Sequence, residues 1–149
     1  MTPELDHALC ARHPKILAAR KTAESVCPMG WGIATGDGWY QLIDALCTAL
    51  QRETDGNGAP QVVAIQVKEK LGGLRFHVRE ASERQRAMID AAIELSLHIC
   101  ESCGSSGRLG HFIDGGVATR CSRHATGGFV SGWIEPEAWT DHDRPWSAR

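Results

Sequence analysis

The sequence predicts an α+β protein in which a helix, a β-hairpin and a second helix share one core and a small cysteine-bearing module is appended. Three observations lead there. Residues 38–53 and 82–99 each repeat apolar side chains at spacings of three and four, the period of a half-buried helix. Residues 61–79 change to β-branched alternation around a glycine pair, the mark of a hairpin. Beyond the second helix the period disappears and paired cysteines take over. The boundaries follow as 1–99 for the core, 100–124 for the module and 125–149 for a C-terminal arm.

Taken in order, Thr2-Pro3-Glu4 suits a helix start, with Pro in the first turn and an acid at the positive end of the dipole. Leu5, Leu9, Ile16 and Leu17 form an apolar stripe broken by His13-Pro14, so two short helices are expected. His7 and His13 are expected at the surface. Cys27-Pro28, Trp31 and the glycines at 30, 32, 36 and 38 read as an ordered loop. Asp37 is a natural N-cap for the helix carrying Trp39, Leu42, Ile43, Leu46, Ala49 and Leu50. Thr54-Asp55-Gly56-Asn57-Gly58 should end that helix as a loop.

Gln61 to Val67 should form the first strand, and Leu74, Phe76 and Val78 should line the buried face of the second, turned by Gly72-Gly73. Arg75, His77 and Arg79 would then occupy a wet, basic face together with Lys68 and Lys70. Ser82 and Gln85 make a capping box for a helix built on Met88, Ile89, Ala92, Ile93, Ser96 and Ile99, with Leu95 and Leu97 widening its stripe. That helix should deliver the chain directly into Cys100.

Cys100-Glu101-Ser102-Cys103 is followed, after seventeen intervening residues, by Cys121-Ser122-Arg123-His124. Two pairs with two residues inside each have the spacing of a closed, four-ligand structural Zn2+ site. Glycines between the pairs suit a knuckle and a hairpin, with Ile113, Val117 and Thr119 in its strands and Asp114-Gly115-Gly116 at its turn, as in a zinc ribbon or treble clef. The competing reading, a redox CxxC, lacks the βαβ pattern that usually surrounds one.

The remaining chemistry is narrow. His-Glu-x-x-His, the deaminase ligand pattern, Walker loops, dinucleotide fingerprints and Gly-x-Ser-x-Gly are all absent. A nuclease would have to draw on His111 and Asp114. A composition of 42% hydrophobic and 23% charged residues is ordinary for one globular domain of 149 residues. The formal charge of −2 disfavours generic nucleic-acid binding but leaves room for a local basic patch. No apolar run of about eighteen residues occurs, so no membrane span is expected. Residues 1–20 hold no apolar stretch like a signal peptide, which predicts a cytoplasmic protein with Cys10, Cys27 and Cys47 as buried or idle thiols.

Gly36-Asp37-Gly38-Trp39-Tyr40, then Val67-Lys68-Glu69-Lys70-Leu71-Gly72-Gly73-Leu74-Arg75-Phe76, then Cys100-Glu101-Ser102-Cys103-Gly104 resemble, block by block, a group of small zinc-binding proteins of bacteria and their phages. The resemblance spans about residues 28–124. It implies a bacterial or phage origin and a zinc-binding C-terminal part, and it transfers no catalytic residue. By analogy it also implies a host or phage protein as partner, bound by a non-catalytic regulator or inhibitor. Lys68, Lys70, Arg75 and Arg79, or an arm anchored by Trp133, Trp139 and Trp146, would supply the contact surface. Nucleic acid on the same basic hairpin face is the alternative.

Overall fold

The structure, a computed structural model, describes residues 1–20 and 32–132. Cys27, Trp31 and the three tryptophans of the arm lie outside the described residues, so the expectations attached to them are not addressed by it. The described chain is mixed helix and small antiparallel sheets, an α+β arrangement. Among the described residues no helix is long and apolar enough to cross a membrane.

Helix α1 spans Pro3–Arg12, and a 3-10 turn at Ala18–Arg20 follows the break at His13-Pro14. Helix α2, Tyr40–Asn57, is preceded by a 3-10 turn at Asp37–Trp39. Strands β1, Ala64–Lys70, and β2, Gly73–Val78, form the expected antiparallel hairpin, and helix α3 covers Glu83–Ser96. Helix α3 packs against both α2 and β2, and the core between them buries Leu9, Ile16, Leu17, Trp39, Ile43, Leu50, Val62, Val67 and Leu74.

Several local expectations need correction. Asp37 opens the 3-10 turn instead of capping α2, and its Oδ1 accepts from the Thr2 amide at 2.6 Å. Helix α2 runs through the predicted loop to Asn57 and stops only at Gly58, which is left-handed at φ 67°. Thr54 remains helical and serves as a polar anchor. Gln85, wholly buried, completes the capping box with Ser82 and uses its amide nitrogen to donate to Thr54 Oγ1 and Pro60 O at 3.1 and 3.0 Å. One cap residue thus ties the start of α3 to the end of α2.

The hairpin turns at Leu71-Gly72, both with positive φ (54° and 77°), so Gly73 is already in β2 and β1 lies later than predicted. Two left-handed residues match the natural twist of a two-residue hairpin. The Glu69 carboxylate accepts from the Gly72 amide at 2.6 Å and holds the turn. Val67 faces Phe76 and Lys68 faces Arg75 across the ladder.

His13 is buried, not at the surface. Its Nε2 meets Asp44 Oδ1 at 2.7 Å, and Arg12 donates to both oxygens of the same carboxylate. Burial raises the Asp44 carboxyl, but the His13 and Arg12 hydrogen bonds and charges outweigh it and hold it below the ordinary value. Nearby, burial pushes the Cys47 thiol up to about 12, with Asp44 and Cys10 adding to the effect. Cys47 is therefore a neutral space-filler in the core.

A second sheet has the order β4-β3-β5, with β3 at Arg108–Phe112, β4 at Val117–Arg120 and β5 at Phe129–Ser131. Ile113 belongs to the exposed turn, not to a strand. Strand β5 lies in a stretch that shows no period in the sequence. It is recruited by the free edge of β3, where His111 pairs with Val130 and Phe112 with Phe129. Leu95 points to solvent at the end of α3, while Leu97 is buried.

Candidate metal centre

Four side chains from two turns converge. Helix α3 stops at Ser96, and a short turn, not the helix itself, leads into Cys100. The amides of Cys103 and Gly104 donate to the Cys100 carbonyl at 3.3 and 2.8 Å, which folds the chain into a knuckle. Gly104 needs its left-handed φ of 76° there, and its missing side chain lets the Gly38 carbonyl approach. After β4 the amides of His124 and Ala125 donate to the Cys121 carbonyl at 2.9 and 2.8 Å, a single helical turn that sets both side chains on one side.

The sulfurs of Cys100, Cys103 and Cys121 and a ring nitrogen of His124 all lie within 4.8 Å of one another. Cys103 Sγ is 3.7 Å from Cys121 Sγ, and His124 Nδ1 is 3.6 Å from Cys100 Sγ and 3.2 Å from Cys121 Sγ. A tetrahedral ion with metal–sulfur bonds of about 2.3 Å and metal–nitrogen bonds of about 2.0–2.1 Å requires edges of about 3.8 Å between sulfurs and about 3.5 Å from sulfur to nitrogen. The first two separations match those edges. The sulfurs are far beyond the roughly 2.05 Å of a disulfide, and all three cysteines are free.

The electrostatics favour thiolates. The Cys103 thiol is lowered, chiefly by the hydroxyl and amide of Ser105. Burial raises the Cys121 thiol, yet the amides of His124 and Arg123 and the neighbouring Cys100 and Cys103 outweigh it, leaving a value of about 7. His98 is exposed and lies outside the cluster.

Glu101, one of the two residues inside the CxxC, is the position that sequence reasoning missed. Its carboxylate accepts from the Gly36 amide at 2.9 Å and from Arg120 Nη1 at 3.0 Å. Its carbonyl accepts from the Gly38 amide at 2.8 Å, and its own amide donates to Thr119 O at 3.1 Å. One residue therefore joins the 36–38 loop, the knuckle and β4. Trp39 Nε1 adds a bond to Ile99 O at 2.9 Å.

The fit at this seam is tight. A Cβ on Gly38 would lie 2.2 Å from the Cys100 carbonyl oxygen, and one on Gly36 would lie 2.3 Å from that of Glu101. On the hairpin side, Thr119 Oγ1 donates to Gly72 O at 2.8 Å. The loop at 36–39 and the hairpin turn at Gly72 thus both contact the module. In the sequence Glu101 stands out only by its place between Cys100 and Cys103, which does not indicate what it would bind.

The expected partner surface divides. Lys70 and Arg79 are exposed and Lys68 is half-buried, but Arg75 is only 6% exposed. Its Nη1 folds back onto the Leu74 carbonyl at 3.1 Å, over the space left by Gly73, so it cannot offer its side chain to a partner. Burial, followed by the charges of Lys68, Arg75 and Lys70, lowers the His77 pKa. His111 sits within the ladder of β3 while Asp114 lies in the exposed turn. Among the described residues no hydrogen bond joins them, and His111 Nδ1 is buried without a partner.

Compared with protein-family models, curated proteins and solved structures, the chain finds no match.

Proposed function

We propose that the chain is a non-catalytic binding module, stapled by one zinc ion at Cys100, Cys103, Cys121 and His124, that regulates or inhibits a macromolecular partner. The observation that carries this reading is the closed donor set of three sulfurs and one imidazole nitrogen, gathered within 4.8 Å. Soft thiolates with one imidazole favour zinc over the hard cations, and four protein donors leave no position for a substrate or an activated water. The knuckle, the hairpin and the single turn at Cys121 support a ribbon-like reading of the module. The regulatory role rests on the resemblance to bacterial and phage proteins, by analogy alone. A nuclease gains no support from His111 and Asp114, which share no hydrogen bond.

Metal analysis of the purified chain should find one zinc per molecule, absent from Cys103→Ser. Affinity capture from a bacterial lysate should recover a partner with the zinc-loaded chain and lose it with the variant. A metal-free native chain, or capture indifferent to the metal, would refute the reading.

A further inference from the structure

The outer face of the second sheet places two arginines directly opposite each other. Arg108 of β3 pairs with Arg120 of β4, so both side chains leave the same side of the ladder. Like charges in that position repel and are retained at a cost in stability. Glu101 neutralises Arg120 at 3.0 Å. Arg108 is exposed, and among the described residues its side chain has no hydrogen bond or ion pair, while Arg123 donates to Ser105 Oγ at 3.4 Å.

Arg108 and Arg120 border a cleft of about 400 Å³ lined also by Ser106, Cys121, Ser122, Phe129 and Ser131. That volume lies within the usual range of ligand sites, about 300–1,000 Å³. The Phe129 ring lies across Gly110, where a Cβ would come within 2.5 Å of its Cζ, and meets Phe112 edge-on at a centroid distance of 5.2 Å. The ring is thus a fixed aromatic plate beside guanidinium groups and hydroxyls.

We propose that this cleft binds single-stranded nucleic acid, with a phosphate at Arg108 and a base against Phe129. The inference rests on the binding-module reading and names the partner's chemistry. Guanidinium and hydroxyl groups suit phosphate oxygens, and an aromatic face accepts any unstacked base. A duplex keeps its bases stacked, so it offers this plate nothing. The acidic groups nearby are Glu101, already spent on Arg120 and the Gly36 amide, and Glu94, which shares the neighbouring hollow with Arg108.

The test is fluorescence polarisation of a labelled oligothymidine of about 12 nucleotides, a length within known single-strand site sizes. It uses the full, zinc-loaded chain, with metal content checked for every variant. Binding should weaken as salt rises, and Arg108→Glu should reduce affinity by about tenfold or more with metal content unchanged. Phe129→Leu should weaken binding at every salt concentration, whereas Arg86→Glu at an exposed position of α3 should leave it unaltered.

Equal binding by Arg108→Glu and the native chain, or equal binding of duplex and single strand, would overturn the proposal. So would an Arg108→Glu effect on metal affinity alone, which would mean that the arginine only balances the thiolates. A native chain that holds zinc and ignores the oligonucleotide sinks this inference and leaves the zinc module standing. A chain that lacks metal yet binds through Arg108 does the reverse.

Discussion

The first hairpin and its helices bury a full set of large side chains, from Leu9 and Ile16 to Trp39, Leu50 and Leu74. In residues 100–132 the only buried side chains are Cys100, Ala118, Thr119 and Cys121, two of which belong to the metal cluster. The two regions are therefore held by different forces. Apolar burial at about 25 cal/mol per Å² sustains the first, whereas a sheet this small and glycine-rich needs a staple. What joins them is neither force. The seam through Gly36, Gly38, Trp39 and Glu101 consists of hydrogen bonds and close backbone contact.

The largest effect should come from removing the metal. Structural zinc contributes about 10–16 kcal/mol of apparent binding energy in zinc-finger peptides, far more than any single contact here. Chelation, or Cys103→Ser at an exposed ligand, should abolish amide-exchange protection across β3, β4 and β5 while α2 and α3 keep theirs. If the whole chain lost protection together, the comparison between the two regions would break.

Leu50→Ala tests the other side. Leu50 is wholly buried, and such truncations cost about 2–5 kcal/mol through lost contacts and a residual cavity. The urea midpoint should fall, and the folded fraction should still hold one zinc per chain.

Gly38→Ala attacks the seam. The new methyl would meet the Cys100 carbonyl and the amides of Gly104 and Cys103, all backbone atoms that cannot rotate away. Forcing a group into a packed site costs about 1–3 kcal/mol. Denaturant unfolding should show that loss, and metal affinity should fall with it because the knuckle itself is displaced. An unchanged zinc affinity would mean that the knuckle is self-sufficient.

The smallest effect is the pH dependence of the metal-free chain. The folded Cys121 thiol lies at about 7, below its ordinary 9.0. A depressed thiol stabilises the fold fully above the ordinary value, and that contribution disappears as pH falls through the folded one. Metal-free protein should therefore lose stability between about pH 9 and pH 7, and Cys121→Ser should flatten the curve in that window. With zinc bound, protons must displace the metal, so the loss should shift to lower pH and coincide with metal release.

Local and periodic features were legible from the amino acids alone. The two helices, the hairpin, the Ser82–Gln85 capping box and the grouping of Cys100, Cys103, Cys121 and His124 all follow from spacings of a few residues. Such spacings translate directly into which side chains share a face or a turn. Only the tertiary structure decided that Arg75 folds back on its own strand, that His13 is buried against Asp44 and that β5 completes the second sheet. It also gave Glu101 its role, because the partners of that residue come from positions 36, 38, 119 and 120. No period links those positions, and only the close approach of separate backbones brings them together.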